Sequence, residues 1–269
     1  MFRPFRSERQ IWGEFKHGFF RHPFRAISDL SRFFSDLRRY NKLNRRDAFK
    51  ARWRDIYPCW RDRRSTAADL SYYFWQDLWA ARKIFAARPS RHFDVGSRID
   101  GFIAHVLSFM PVTLIDIRPL PWMIDGLDFI QADATDLDGI NDRSVESLSS
   151  LCAIEHFGLG RYGDPVDPEA CFKAMKALQR VLGEGALYVA VPVGADGVSF
   201  NAHRTFSVET VLGTFDELDL ADLALIDARV PEKPVYREHV HPTDLDLGPD
   251  WAGAAIGLFE FRRDRRGIP

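Results

Sequence analysis

The sequence predicts an α/β fold in which a mostly parallel sheet carries helices on both faces, preceded by a basic helical N-terminal region. From residue 92 onward, short apolar runs alternate with amphipathic stretches, a pattern typical of the strand and helix units of a parallel sheet. A glycine-bearing loop follows the first run, where such sheets bind ligands. The 269 residues, 46% of them hydrophobic, are enough for one large domain and an appendage.

The predicted elements follow one another in chain order. Strands are expected at residues 92–95, 112–117, 128–131, 147–152, 186–192, 223–227 and 256–262. Helices are expected around 20–37, at 65–87, from 101, at 168–182 and at 207–215. A proline-rich excursion through residue 241 connects the last two strands.

Composition excludes several classes of protein. No window approaches the roughly 18 uninterrupted apolar residues of a membrane span, and arginines interrupt the N-terminus without an apolar signal core behind them. We therefore expect a cytoplasmic protein. Cys59, Cys152 and Cys171 are odd in number and lack metal-ligand spacing, so the sequence predicts neither a disulfide framework nor a metal site.

Charge is divided unevenly along the chain. Residues 1–64 hold 18 Lys and Arg against 7 Asp and Glu, whereas residues 65–269 hold 19 against 31. We therefore predict a basic, aromatic-rich helical arm over 1–64 and a separate acidic domain over 65–269.

The arm contains an amphipathic stripe whose apolar residues lie three or four apart. They are Phe20, Phe24, Ile27, Leu30, Phe34 and Leu37. The favoured interpretation is that the stripe packs on the following domain or on a second subunit. In the alternative, it lies on a membrane surface with its arginines at lipid phosphates. Nucleic acid is the least favoured partner.

The loop at residues 94–101 has glycines at 96 and 101. A phosphate-binding P-loop needs Lys after the second glycine, and Phe102 stands there instead. A dinucleotide loop needs three glycines in a fixed register, which Arg98 breaks, and Asp100 would repel a pyrophosphate at the helix N-terminus. The loop therefore disfavours phosphate-bearing cofactors.

S-adenosylmethionine suits this loop better because it carries a sulfonium and an ammonium. Asp94 and Asp100 flank the loop with negative charge, and Gly96 permits close backbone approach. Asp116 ends the second strand, where a carboxylate can accept from both ribose hydroxyls. Asp133 follows the third strand, where an acid can accept from the adenine amino group. An acid after a strand is also often only a helix cap or turn residue.

With these residues in place, the chain resembles the class I S-adenosylmethionine-dependent methyltransferases, and more closely a bacterial domain-of-unknown-function family of methyltransferase-like proteins. The likeness covers residues 65–262 and is specific at 155–164. The motifs that carry it are Tyr73-Phe-Trp-Gln-Asp77, Asp94-Val-Gly-Ser97, Asp116-Ile-Arg-Pro119, Ile154-Glu-His-Phe-Gly-Leu-Gly-Arg-Tyr-Gly-Asp164 and Asn201-Ala-His-Arg204.

The resemblance implies a Rossmann-like seven-stranded sheet with an antiparallel last strand, within a methyltransferase-like domain over 65–269. It also implies S-adenosylmethionine as the cofactor. The expected cofactor contacts are Asp94, Gly96, Ser97, Asp116, Ile117, Asp133 and Ala134. Such proteins often belong to sugar or polysaccharide biosynthesis systems, so the expected acceptor is a glycan hydroxyl or a similar small molecule. The chain departs from the family at Arg98 and Asp100, where class I enzymes usually have further glycines.

The loop after the fourth strand should lie over the sulfonium, since that strand adjoins the first where the strand order reverses. Methyl transfer to a hydroxyl needs alignment and a general base, and histidine suits that task near neutral pH. His156 and His203 are the candidates, with Glu155 as the partner that fixes His156 or the cofactor's methionine end. Either histidine can instead orient a loop through a hydrogen bond.

Four residues are expected on the acceptor wall, namely Arg161, Tyr162, Asp164 and Arg204. Guanidinium pairs well with phosphate, so the two arginines favour an anionic acceptor such as a sugar phosphate. A solvated surface position is the alternative for both.

Two functions follow from these patterns. The favoured one is an O-methyltransferase acting on a glycan or a similar small hydroxylated acceptor. The alternative is a non-catalytic protein with a methyltransferase fold, which docks to a membrane surface or a biosynthetic partner through its basic arm. Arg98 and Asp100 motivate the alternative, because they stand where cofactor loops usually have glycine.

Overall fold

The computed structural model describes residues 23–53, 56, 70–230, 234–245, 247 and 254–263. The chain divides into two compact units, Met1–Asp69 and Leu70–Pro269. The assignment of separate roles to an arm and a domain stays a prediction.

The described part of the first unit contains the helix α1, which spans Pro23–Leu43. The chain then folds back along this helix, because the Asn41 side chain exchanges two hydrogen bonds with the main chain of Ala51, at 2.9 and 3.0 Å. Residues 27–53 and 56 of this unit are all exposed or half-buried. The helix predicted around 20–37 is confirmed for its described part, and residues 20–22 lie outside the described residues.

The second unit alternates strands and helices. Its strands are β1 His92–Val95, β2 Val112–Asp116, β3 Leu127–Gln131, β4 Val145–Leu151, β5 Leu182–Val193, β6 Gly197–Ser199, β7 His203–Thr205, β8 Asp219–Asp227, β9 Val235–Arg237 and β10 Ala255–Arg262. Its helices are α2 Tyr72–Ala87, α3 Ala104–Leu107, α4 Ala170–Val181 and α5 Val208–Thr214. The first residues of the helix predicted at 65–87, up to 69, lie outside the described residues.

The main sheet has the order β3-β2-β1-β4-β5-β10-β8-β9, and its first five strands are mutually parallel. Strand β10 runs antiparallel to both of its neighbours, as the resemblance implied for the last strand. The sheet has eight strands in place of the expected seven, because β9 in the proline-rich excursion pairs with the edge of β8. Strands β6 and β7 form a separate hairpin.

Helices cover both faces of this sheet, which confirms the predicted Rossmann-like α/β fold. On one face, Trp79 and Ile84 of α2 and Phe102 pack against Leu114 and Tyr188 of the sheet. On the other face, α4 and α5 pack against the apolar side chains of β1, β5 and β10. Among the described residues, none of the helices combines the length and apolar character needed to cross a membrane.

The segment after β1 differs from the expected helix. A π-helical turn at Ile99–Ile103 precedes the short helix α3. Gly101 lies so close to α2 that an added Cβ would stand 2.5 Å from a carboxylate oxygen of Asp77. The segment is therefore shaped by its contact with α2 as well as by its own helix propensity.

Candidate functional site

A cavity of about 840 Å³ opens at the carboxyl ends of β1, β2 and β4. This is the point at which the strand order reverses, where open α/β sheets bind ligands. The cavity brings together eleven of the predicted site residues, namely Gly96, Asp116, Ile117, Asp133, Ala134, Glu155, His156, Arg161, Tyr162, Asp164 and His203. Three predicted residues, Asp94, Ser97 and Arg204, are absent from its lining.

Asp94 lies beneath the cavity in a buried network of hydrogen bonds. The main-chain N–H and the hydroxyl of Ser97 donate to its carboxylate at 2.9 and 2.7 Å, and the Ser149 hydroxyl donates as well. His92 Nε2 lies 2.8 Å from the Ser149 oxygen and donates to it. Burial raises the pKa of Asp94 to about 6 and lowers the pKa of His92 to about 3. Asp94 and Ser97 therefore hold the loop in place instead of meeting a ligand.

The expectation that Asp94 and Asp100 face a bound cation is corrected by this placement. Asp94 is fully buried. Asp100 is exposed and accepts two hydrogen bonds from the Arg98 guanidinium, at 2.8 and 3.1 Å. Arg98 itself lines the cavity, with its guanidinium carbon 5.4 Å from the centroid of the Tyr73 ring.

Gly96 provides the close approach that the sequence predicted. Its φ of +76° is strained for a residue with a side chain, and an added Cβ would lie 3.0 Å from the Cβ of Ala153. Its N–H donates to the carbonyl of Ile115 in β2 at 3.0 Å. A glycine here lets the loop lie directly against the end of β4.

The two acids at the ends of β2 and β3 both line the cavity. Asp116 accepts hydrogen bonds from the Arg118 main chain at 2.8 Å and from its guanidinium at 2.6 and 3.0 Å. Asp133 accepts one from the main-chain N–H of Thr135 at 2.9 Å. Both acids therefore also take part in the local turns that the sequence left open as an alternative.

Helix α2 adds a polar pair to which the sequence assigned no role. Gln76 and Asp77 are buried, line the cavity and are joined by a 3.1 Å hydrogen bond from the Gln76 amide. Burial raises the pKa of Asp77 to about 6, and the Gln76 carbonyl oxygen has no partner among the described residues. Two adjacent polar residues among the aromatic and apolar residues of the first half of α2 were the available signal.

Glu155 and His156 follow β4 in a short 3-10 turn, Ile154–His156. His156 Nδ1 donates to the Ala202 carbonyl at 2.6 Å, and its Nε2 lies 3.6 Å from a carboxyl oxygen of Glu155. Burial lowers the pKa of His156 to about 4, so the ring is neutral near pH 7 with a lone pair on Nε2. Burial also raises the pKa of Glu155 to about 8, and its other carboxyl oxygen has no partner among the described residues.

The glycine-rich loop that follows is organised by Asp164. Its carboxylate accepts hydrogen bonds from the main-chain N–H groups of Gly158 at 2.7 Å and Tyr162 at 3.0 Å. Asp164 therefore shapes the acceptor wall as well as lining the cavity.

His203 also lines the cavity. It lies on the hairpin strand β7 and is half-buried.

Arg204 is not positioned to bind a substrate. Its side chain is buried and donates to the main-chain carbonyls of Phe157 at 2.6 Å and Pro168 at 3.3 Å. The prediction that it binds an acceptor is therefore wrong, because its guanidinium is used to hold the glycine-rich loop. Among the described residues, no group of His, Cys, Asp and Glu side chains could hold a metal ion.

One family model matches the chain, at residues 133–215, and it is described as Caenorhabditis protein of unknown function, DUF268. The match includes the stretch 155–164 on which the resemblance was most specific. It covers less than half of the chain, and its description corrects the expectation of a bacterial family. A search of curated proteins finds no match.

The chain is similar to several solved structures, of which one reaches a TM-score of 0.50. A protein described as a sarcosine dimethylglycine methyltransferase, from Galdieria sulphuraria, has a TM-score of 0.50 at 12% identity over 70% of this chain and 85% of that chain. An S-adenosylmethionine-dependent methyltransferase from Thermotoga maritima has a TM-score of 0.47 at 15% identity, over 71% and 89% of the two chains. A methyltransferase from Burkholderia thailandensis, solved with S-adenosylhomocysteine, has a TM-score of 0.44 at 17% identity, over 70% and 78%.

The buried carboxyl of Glu155 predicts how stability depends on pH. In the fold its pKa is about 8, against about 4.5 in the unfolded chain, so its protonated form is favoured on folding. The stability it contributes is complete below pH 4.5 and is lost as the pH rises through 8. Between pH 5 and pH 8, wild type should lose stability relative to Glu155→Gln by up to about 1.4 kcal/mol per pH unit. Urea unfolding across this range tests this, and parallel profiles for the two proteins would contradict it.

Proposed function

We propose that this protein is an S-adenosylmethionine-dependent methyltransferase that transfers the methyl group to a hydroxyl of a glycan or a similar small acceptor. The observation that carries the proposal is a single cavity containing Asp116 and Asp133 at successive strand ends, Gly96 in the first loop and a neutral His156 after the fourth strand. The resemblance to methyltransferases of sugar and polysaccharide systems motivates the choice of acceptor.

The residues present fit this cofactor. Asp116 is the acceptor for the ribose hydroxyls and Asp133 for the adenine amino group, with Ile117 and Ala134 beside them. The unpartnered Gln76 carbonyl oxygen and the buried Asp77 carboxyl suit a primary ammonium, which carries only donors. When bound, the cofactor supplies a methyl group on a positively charged sulfur, and a nucleophile in line with the carbon–sulfur bond takes the methyl group from that sulfur.

His156 is the general base of the proposed reaction. The hydrogen bond from Nδ1 to Ala202 fixes the tautomer, so Nε2 is left to accept the proton of the attacking hydroxyl. After the transfer, His156 would hold the proton of the acceptor hydroxyl on Nε2. A carboxyl oxygen of Glu155 lies 3.6 Å from Nε2, which makes Glu155 a positioning residue for the ring of His156.

Asp116→Ala is expected to weaken binding of S-adenosylhomocysteine by at least about tenfold, because two ribose hydroxyls lose a charged acceptor. Calorimetry on the full chain measures this. Asp125→Ala, which removes an exposed acid next to the start of β3, is the matched control and should bind like wild type. Unchanged affinity in Asp116→Ala would overturn the cofactor assignment, and no binding by wild type at millimolar ligand would favour the non-catalytic alternative.

His156→Gln is expected to lower the rate of methyl transfer by about 10² to 10⁴, the usual contribution of a general base, while leaving the affinity for S-adenosylhomocysteine within about twofold. The assay is methyl transfer from labelled S-adenosylmethionine to a panel of sugars and sugar phosphates. His203→Gln is the comparison, since it changes the other histidine of the lining. A large loss in His203→Gln with little loss in His156→Gln would move the role of base to His203.

We also propose that the N-terminal arm docks the protein on the cytoplasmic face of an anionic membrane. Along α1, Phe33, Phe34 and Leu37 form an apolar stripe that is only half-buried, while Arg38 and Arg39 beside it are exposed. An amphipathic helix with this pattern binds a lipid surface through its apolar stripe and its cations. A protein partner is the other outcome that the stripe allows.

The double variant Arg38→Gln, Arg39→Gln is expected to lose flotation with anionic phospholipid vesicles, since each cation contributes about 1 kcal/mol near such a surface. Wild type should float with these vesicles and not with neutral ones. The matched control is Arg88→Gln, Arg143→Gln, which removes two exposed arginines of the second unit. Equal flotation of both double variants and wild type would rule out the lipid surface and leave a protein partner.

A further inference from the structure

Arg161 is a cation of the cavity wall without a carboxylate partner. Its guanidinium donates to the main-chain carbonyl of Ala202 at 2.8 Å, and its next polar neighbour is His156 Nδ1 at 3.4 Å. Within the part of the chain that the structure describes, no acid lies within ion-pairing distance of it. The other two arginines of the lining are paired, Arg98 with Asp100 and Arg118 with Asp116.

Tyr162 joins this unpaired cation to a second one. The guanidinium carbons of Arg161 and Arg118 lie 5.1 and 4.6 Å from the centroid of the Tyr162 ring. The ring of His156 packs edge-on against the same tyrosine, with centroids 5.6 Å apart. Two cations and the proposed base therefore surround one partly exposed aromatic ring at the acceptor wall.

The acids around this cluster are already compensated. The carboxylate of Asp164 accepts hydrogen bonds from main-chain N–H groups, and the carboxylate of Asp116 forms an ion pair with Arg118. Asp167 pairs with Lys173 at 2.7 Å. Burial raises the pKa of Glu155 to about 8, which leaves it neutral near pH 7. The positive charge of Arg161 is therefore available to a ligand.

We infer that the acceptor of the proposed methyl transfer carries a phosphate group, which binds to Arg161 and Arg118 beside the ring of Tyr162. The inference rests on the proposed function and specifies its substrate class as a sugar phosphate. Guanidinium groups present paired N–H donors that match phosphate oxygens. Arg161 contributes more than Arg118, because Asp116 already shares the charge of Arg118.

The contact between Tyr162 and His156 limits the size of this acceptor. A phosphate held at Arg161 lies one side chain away from the base, so the reacting hydroxyl and the phosphate belong to the same sugar unit. A long neutral glycan chain offers no group for this cluster. The acceptor is therefore a small phosphorylated sugar, or the phosphate-bearing end of a larger glycan.

Calorimetry of the full chain with glucose 6-phosphate, glucose and inorganic phosphate, in the presence of S-adenosylhomocysteine, tests the inference. Glucose 6-phosphate should bind at millimolar concentration or below, and glucose should not. Arg161→Gln should weaken glucose 6-phosphate binding by at least about tenfold. Arg88→Gln, an exposed arginine at the end of α2 that is absent from the cavity lining, should leave it unchanged.

Two results would overturn the inference. One is equal affinity of wild type and Arg161→Gln for glucose 6-phosphate, and the other is no binding of either phosphate probe at about 10 mM. Titration of S-adenosylhomocysteine into the same proteins separates the two proposals. Normal cofactor binding without phosphate binding rejects the phosphorylated acceptor alone, whereas phosphate binding without cofactor binding rejects the methyltransferase proposal and leaves the anion site.

Discussion

The buried carboxyl of Asp94 is the interaction on which the rest of the site depends. It accepts hydrogen bonds from both the N–H and the hydroxyl of Ser97, which bends the chain sharply at the end of β1. The Ser149 hydroxyl, supported by His92, ties the same carboxyl to β4. The ends of β1 and β4 are therefore held together from below, and the loops that follow them form the two walls of one cavity.

The cavity separates charges into two regions. One region holds Asp77, Asp116 and Asp133, which suit hydroxyl and ammonium donors. The other, around Tyr162, holds Arg161 and the side of Arg118 that faces the ring. Glu155 and His156, which burial keeps neutral near pH 7, line the same cavity.

The architecture could be predicted from sequence because most strands are short apolar runs, and Asp116 and Asp133 of the cavity stand at or just after the ends of two of them. Asp116 and Asp133 were found in this way. The spacing of residues along the sequence does not indicate in which direction a side chain in a loop points. Asp94 turns inward and Asp100 outward, although both flank the same glycine. The hydrogen bond from His156 to Ala202 joins residues 46 positions apart, so no local pattern could indicate it.

Two further differences between the sequence predictions and the structure have the same physical origin. Arg204 was expected at the acceptor wall, yet main-chain carbonyls in the glycine-rich loop need a donor, and its guanidinium provides one. Gln76 and Asp77 were visible as a motif, but their role depends on how α2 packs across the open end of the sheet, which the sequence does not specify.

A crystal structure of the full chain with S-adenosylhomocysteine is the decisive measurement for the proposed cofactor site. We expect the ribose hydroxyls on the Asp116 carboxylate, the adenine beside Asp133 and the sulfur atom facing His156. The amino group should then lie toward Gln76 and Asp77. A ligand bound outside this cavity, or one with its adenine at Tyr162 and Arg161, would contradict the proposed cofactor site.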